Sequence, residues 1–179
     1  MQTRRFILFT ICSVMTLSLA GLFSSVHAES TTPMDSAHVE RIRANCIDAQ
    51  SSLSRIHASD ALLRVNRGQL YESILTRLMA PFNARVSLNR LDGVALVTTA
   101  ADYERELDQF RASYISYEES LSALLTMNCA NQPVAFYDGV ADARAKRDIV
   151  HNHTINLESM IKAYQASFET LAKTIEVTK

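Results

Sequence analysis

The sequence predicts an all-α protein, an elongated antiparallel three-helix coiled coil or bundle preceded by an N-terminal signal peptide. The main observation is a repeat of apolar residues in steps of four and three, broken only at Arg147 and Thr154. Such a repeat is typical of a long helix with a narrow stripe facing partner helices. Its members are Phe136, Val140, Ala143, Val150, Leu157, Ile161, Tyr164, Phe168, Leu171 and Ile175. Only 4 Gly, 3 Pro and no Trp occur in 179 residues, which disfavours turn-rich sandwiches and barrels.

Residues 1–28 have the pattern of a secretory signal peptide. Two arginines precede an uncharged, apolar run over residues 6–23, and residues 26–28 supply the small side chains that a signal peptidase reads. The alternative is an uncleaved membrane anchor, because this run just reaches the length that spans a bilayer. We therefore predict an exported protein, secreted, periplasm-like or at the cell surface, that contacts a membrane only if the segment is retained.

The charge balance excludes one class of partner. Without residues 1–28 the chain carries 16 basic and 19 acidic residues, a net charge of −3. This balance offers no basic surface for nucleic acid or anionic lipid. We predict that the protein binds no nucleic acid.

The first helix of the bundle is predicted over residues 36–78, after a polar linker at residues 29–35. Asp35 or Ser36 is suited to cap its N-terminus. Its stripe contains two charged residues among apolar ones. The stripe is Val39, Ile42, Cys46, Ala49, Leu53, Ile56, Asp60, Leu63, Arg67, Leu70 and Ile74.

Residues 79–98 are predicted to form an irregular, apolar connection, because Pro81, Asn83, Asn89 and Gly93 interrupt the periodicity. A stretch this apolar is expected to fold back and cover the end of the third helix. In that prediction the covering residues are Phe82, Val86, Leu91 and Leu96, and the covered residues are Tyr164, Phe168, Leu171 and Ile175.

The second and third helices are predicted over residues 99–127 and 133–177. The sequence from Thr99 to Asp102 resembles a capping box, and Pro133 falls where proline suits a first helical turn. The stripe of the second helix is Tyr103, Leu107, Phe110, Tyr114, Tyr117, Leu121 and Leu124. These helices and the first form one domain over residues 36–179.

Two cysteines remain after residues 1–28, Cys46 and Cys129. In an oxidising compartment such thiols tend to pair, so we predict a disulfide between them. This pairing fixes the helix register, and it brings Asp60 and Arg147 together beside Tyr114. A carboxylate and a guanidinium that meet in a stripe can form paired hydrogen bonds, which compensate for burial.

The same register predicts two further polar groups. One joins His57, Glu118 and Arg144, and the other joins Arg67 to Asp108. We interpret these residues as a buried polar layer that locks the register, with a ligand-binding polar pocket as the alternative. The predicted layer consists of Asp60, Arg67, Asp108, Glu118, Arg144 and Arg147.

The sequence gives no positive sign of catalysis. It contains no Gly-rich phosphate loop, Gly-x-Ser-x-Gly elbow or Cys-x-x-Cys motif. His151 and His153 point to different helix faces, so they are not expected to share a metal. We predict no cofactor, no metal site and no enzymatic activity.

Four stretches stand out beside the apolar stripes, at residues 59–72, 78–83, 128–129 and 132–137. They resemble a group of uncharacterised exported helical proteins from reduced-genome bacteria of the Saccharibacteria type. The resemblance implies an exported helical protein and carries no known activity or site residues.

The sequence predicts a non-enzymatic structural or protein-interaction module of the cell envelope or surface. The alternative is an extracytoplasmic chaperone or a small binding protein with an apolar or polar site within the bundle. Narrow stripes and a net charge of −3 argue against a chaperone, since such proteins are often basic or expose a wide apolar groove.

Overall fold

The computed structural model describes residues 34–177, and all regular structure in that range is helical. The all-α prediction is therefore confirmed for the described part of the chain. In chain order the helices are α1 (Ser36–Ala44), α2 (Cys46–Ser73), a π-helical segment (Ile74–Met79), α3 (Ala80–Leu88), α4 (Val94–Thr126) and α5 (Pro133–Val177). No helix within residues 34–177 is long and apolar enough to cross a membrane. The predicted signal peptide lies outside the described residues.

Asp35 caps the N-terminus of α1, and its carboxylate accepts a hydrogen bond from the backbone N–H of His38 at 2.6 Å. This bond satisfies one of the free donors of the first turn. Asn45 separates α1 from α2, and its side-chain amide donates to the carbonyl of Arg41 at 2.7 Å. α1 lies against α5, where the rings of His38 and Tyr137 meet edge-on at 5.3 Å. α2 lies against α4 instead.

The prediction of an irregular connection over residues 79–98 is wrong. α3 covers Ala80–Leu88, and α4 begins at Val94 rather than near residue 99. Pro81 does not end the helix because it lies in the first turn of α3, directly after the π-helical segment. There the regular i→i−4 ladder is already interrupted, so the missing N–H of proline is tolerated.

The chain reverses at residues 89–93 through a motif that usually contains glycine. Leu91 N–H donates to the carbonyl of Val86 at 3.1 Å, and Arg90 N–H donates to the carbonyl of Ser87 at 3.0 Å. These two bonds define a Schellman C-cap. The left-handed residue of the motif is Arg90, with φ 56°. At Gly93 an added Cβ would lie 2.5 Å from Cγ1 of Val86, so a larger residue there would push α3 and α4 apart.

α4 packs against both α2 and α5. In each pair, residues late in one helix contact residues early in the other. Gln50 at the start of α2 donates to the carbonyl of Met127 at 2.7 Å, whereas Tyr71 near the end of α2 meets Phe110, with ring centroids 5.8 Å apart. Between α4 and α5, Ser120 meets Asp142 and Glu106 meets His153. Both pairs of helices are therefore antiparallel.

The buried residues form two clusters along the helices. The cluster near the reversal contains Tyr71, Met79, Val86, Leu96, Ala100, Tyr103, Leu107, Phe110, Leu157 and Tyr164. The cluster near the cysteines contains Cys46, Tyr114, Tyr117, Leu121, Leu124, Cys129, Phe136 and Ala143. Val150 packs against both and marks their junction. We call them the reversal cluster and the cysteine cluster.

The end of α5 is covered by α3. Phe82 meets Phe168 with ring centroids 5.1 Å apart, and the hydroxyl of Tyr164 donates to Oδ1 of Asn83 at 2.7 Å. Val86 and Leu96 belong to the reversal cluster together with Tyr164. The contact predicted for the connecting stretch is thus present, but a helix makes it.

Candidate functional site

At mid-length, one side chain from each of three helices meets in a hydrogen-bonded group. Asp60 of α2 accepts from Arg147 of α5 twice, from Nε to Oδ2 at 2.7 Å and from Nη2 to Oδ1 at 3.1 Å. The hydroxyl of Tyr117 in α4 donates to the same Oδ2 at 2.8 Å. The pairing of Asp60 with Arg147 that the register predicts is present, although Tyr117, rather than Tyr114, completes it.

The electrostatics of this group favour an ionised Asp60. Burial by itself would raise the pKa of the Asp60 carboxyl, but hydrogen bonds from Arg147 and Tyr117 outweigh it and hold the pKa below its ordinary value. Burial and the hydrogen bond to Asp60 raise the pKa of Tyr117. The group therefore consists of a carboxylate, a guanidinium and a neutral phenol at neutral pH.

The predicted pairing of Arg67 with Asp108 is wrong. Arg67 Nη1 donates to Oε1 of Glu158 in α5 at 2.8 Å and to the hydroxyl of Tyr71 at 3.2 Å. Asp108 pairs with Arg111 within α4 at 2.8 Å. The buried face of α4 at this level is occupied by Leu107 and Phe110, so Asp108 is turned to solvent and Arg67 reaches α5.

The third predicted group is only partly assembled. Nε2 of His57 lies 3.9 Å from Oε1 of Glu118, and it is buried without a hydrogen bond. Arg144 is exposed and forms no ion pair within residues 34–177. It directly follows Ala143, which is buried in the cysteine cluster. Because successive helical residues are about 100° apart, Arg144 points away from that cluster.

A groove of about 550 Å³ runs between α2 and α5 beside this group. Its floor is aromatic, formed by Phe110, Tyr114 and Tyr117 of α4. The Asp60–Arg147 ion pair crosses from α2 to α5 at one end, and the Arg67–Glu158 ion pair crosses at the other. The walls between the two ion pairs are Leu63 and Arg64 on α2, and Asp148, Val150, His151, Thr154 and Ile155 on α5. We call this cavity the α2/α5 groove.

Arg64 is the unpaired guanidinium of the groove. Its Cζ lies 5.0 Å above the ring centroid of Tyr114. Unlike Arg67 and Arg147, it makes no ion pair within the described residues 34–177. The cationic face of Arg64 is therefore held by an aromatic ring alone, an arrangement that contributes about 0.5–1 kcal/mol at an exposed site.

A second buried polar group was not predicted. Glu106 of α4 is only 8% exposed, and its Oε1 lies 2.8 Å from Nδ1 of His153 and accepts from Nδ2 of Asn156 at 2.9 Å. If Ile115 of α4 is set level with Lys146 of antiparallel α5, Glu106 falls within one helical turn of His153 and Asn156. The signal was thus available, but Glu106 lies beside the apolar stripe and not on it.

Cys46 and Cys129 lie at disulfide distance, with 5.7 Å between their Cα atoms. The pair joins the first turn of α2 to the connection that follows α4. Within residues 34–177 there is no group of three or more His, Cys, Asp or Glu side chains that could hold a metal ion.

Comparison with known proteins adds no relative. No protein-family model matches the sequence, and neither a curated protein nor a solved structure matches the chain. The resemblance to exported helical proteins of Saccharibacteria-type bacteria thus stays a prediction.

Proposed function

We propose that this protein is an exported, non-enzymatic binding module of the cell envelope or surface, built as an antiparallel three-helix coiled coil. Export rests on the signal-peptide pattern of residues 1–28. The coiled-coil description is supported by the apolar stripes and by the opposite contact order of α2 with α4 and of α4 with α5.

The observation that carries the binding role is the α2/α5 groove. A regular three-helix bundle fills the space between its helices with apolar side chains. Here about 550 Å³ remains open above three aromatic rings, a volume typical of small-molecule sites. Ion pairs cross the groove at both ends, so it is short and closed lengthwise. This favours a small binding protein over a chaperone, which needs a long apolar surface for a client.

A structural module is the second candidate, and the Asp60–Arg147–Tyr117 group favours it. Two hydrogen bonds from Arg147 and one from Tyr117 converge on a single carboxylate across three helices. A helix that slipped by one turn would leave that carboxylate without these donors, so the group penalises wrong registers. In this case the groove would have no ligand.

Filling the groove distinguishes the two candidates. Leu63 lines it and Leu62 does not, although both are exposed on the same turn of α2. We expect fragments with aromatic rings to give saturation-transfer NMR signals with the wild-type protein and with Leu62→Trp, and to lose them with Leu63→Trp. Circular dichroism melts would verify that both variants fold. No signal with any fragment, or equal signals with both variants, would leave only the structural role.

A further inference from the structure

We propose that the α2/α5 groove recognises a small organic anion, with an apolar body of one or two rings lying between Leu63 and Ile155 and the anionic group held by Arg64. This inference rests on the proposed binding function and specifies its ligand class. The anionic group is a carboxylate, sulfonate or phosphate, which share the acceptor geometry that a guanidinium recognises.

The sign of the ligand charge follows from the charges that line the groove. Asp60 and Glu158 are neutralised by the arginines that cross the groove. Within residues 34–177, Arg64 forms no hydrogen bond or ion pair, and its guanidinium lies over the Tyr114 ring. Asp148 also lines the groove, but it is exposed to solvent next to Arg147. Arg64 and Asp148 are thus the two lining charges without an ion pair within residues 34–177, and of these two the Arg64 guanidinium lies over the floor.

Two further arginines, both held in ion pairs, line the groove. Arg147 uses Nε and Nη2 for Asp60, and Arg67 uses Nη1 for Glu158 and Tyr71. Within residues 34–177, Nη2 of Arg67 makes no hydrogen bond, whereas Arg147 also interacts with the Tyr117 hydroxyl. Along α2, Arg64 lies between Asp60 and Arg67, so its guanidinium lines the groove between the two ion pairs.

The size of the ligand follows from the spacing of the two ion pairs. Asp60 and Arg67 are seven residues apart on α2, about 10 Å at the rise of an α-helix. A body of one or two rings fits that length beside the Arg64 guanidinium that covers Tyr114, against the apolar walls of Leu63 and Ile155. A long alkyl chain or a peptide helix would have to displace one of the ion pairs. The groove therefore selects a compact ligand.

Two fluorescent probes with the same aromatic body test the anion requirement. Anilinonaphthalene sulfonate carries one anionic group, and N-phenylnaphthylamine is its neutral counterpart. We expect the sulfonate to bind the wild-type protein with one-to-one stoichiometry and about tenfold more tightly than the neutral probe, the scale of one charge-assisted hydrogen bond. Arg64→Gln should raise the Kd of the sulfonate about tenfold and leave that of the neutral probe unchanged.

Three variants serve as controls. Arg64→Lys keeps the charge without the fork and should retain part of the preference for the sulfonate. Arg41→Gln removes an exposed arginine of α1 that lies outside the groove, and it should change neither Kd. Leu63→Trp should abolish binding of both probes.

The outcomes separate this inference from the proposed function. Equal affinities for the two probes, or a sulfonate Kd that does not respond to Arg64→Gln, would overturn the anion inference while groove binding survives. Sulfonate binding that resists Leu63→Trp would place the probe elsewhere and also overturn it. If aromatic fragments and both probes all fail to bind, the proposed function itself is wrong.

Discussion

Asp60 shows how one polar side chain can be accommodated among apolar ones. It is 9% exposed, and burial of an unpaired carboxylate would cost several kcal/mol. Its three hydrogen bonds come from a guanidinium and a phenol that belong to two other helices. The compensation for burial therefore exists only when all three helices are in the native register.

The lowered pKa of Asp60 predicts an acid-sensitive stability. Because the folded-state pKa lies below the ordinary value of 3.8, the unfolded chain takes up a proton first as the pH falls. The stabilisation contributed by the ionised Asp60 carboxylate is complete well above pH 3.8. It is lost as the pH falls through that value and then through the folded-state pKa. In urea denaturation, the free energy of unfolding of the wild type should thus fall more steeply on acidification than that of Asp60→Asn.

Tyr117→Phe provides the matched control for this prediction. It removes one of the hydrogen bonds that lower the pKa of Asp60 and leaves the ion pair with Arg147 intact. We expect an acid dependence between those of the wild type and Asp60→Asn. Parallel stability curves for all three proteins would show that Asp60 titrates alike in the folded and unfolded states.

At the residue scale, the sequence identified the charged residues that need a partner. It was less successful in identifying the partner of each. Asp60 and Arg147 both lie on apolar stripes, so the cysteine register is sufficient to bring them together. Arg67 has a long side chain that reaches either neighbour, and the register places it near α4 although it bonds to Glu158 of α5. The direction of a flexible side chain depends on packing, which a heptad pattern does not contain.

At the element scale, the reversal between α3 and α4 depends on a residue in an unfavourable conformation. Arg90 adopts φ 56°, which costs a residue with a Cβ about 1 kcal/mol relative to glycine. Arg90→Gly should therefore stabilise the protein by roughly that amount, measured by urea or thermal denaturation. Asn89→Gly changes the preceding residue, whose φ is −88°, and it should bring no gain. A destabilised Arg90→Gly would mean that the arginine side chain has a role of its own at this turn.

The same region shows why a helix was missed. Proline and asparagine residues between 81 and 89 interrupt the heptad pattern, so the sequence predicts an irregular backbone there. A π-helical segment inserts extra residues without ending the helix, so the pattern shifts phase while the helix continues to Leu88. For α5 no such shift occurs: the heptad pattern predicted a helix over residues 133–177, and α5 spans Pro133–Val177.

At the scale of the whole molecule, the core is divided into the reversal cluster and the cysteine cluster, with the α2/α5 groove beside their junction at Val150. The reversal cluster includes Val86 of α3 and Leu96 of α4, two helices that a short turn connects. The cysteine cluster contains a single buried residue of α2, Cys46. The first half of α2 is thus held by the cysteine pair, by Gln50 and Asp60, and by the partly buried Ala49 and Leu53 that pack against this cluster.

This division predicts an uneven response to loss of the disulfide. The bond closes a loop with a sequence separation of 83 residues, for which the chain-entropy model gives about 4.6 kcal/mol as an upper estimate. In a variant with both Cys46→Ser and Cys129→Ser, hydrogen exchange should accelerate first in α1 and in the first turns of α2, since few other buried contacts hold them. Amides of α3 and of the first half of α4 should keep their protection, because the reversal cluster is unchanged. Mass analysis of the exported wild type under non-reducing conditions gives the necessary control, since two free thiols there would mean that the bond does not form. Uniform acceleration along the chain would instead show that the two clusters unfold as one cooperative unit.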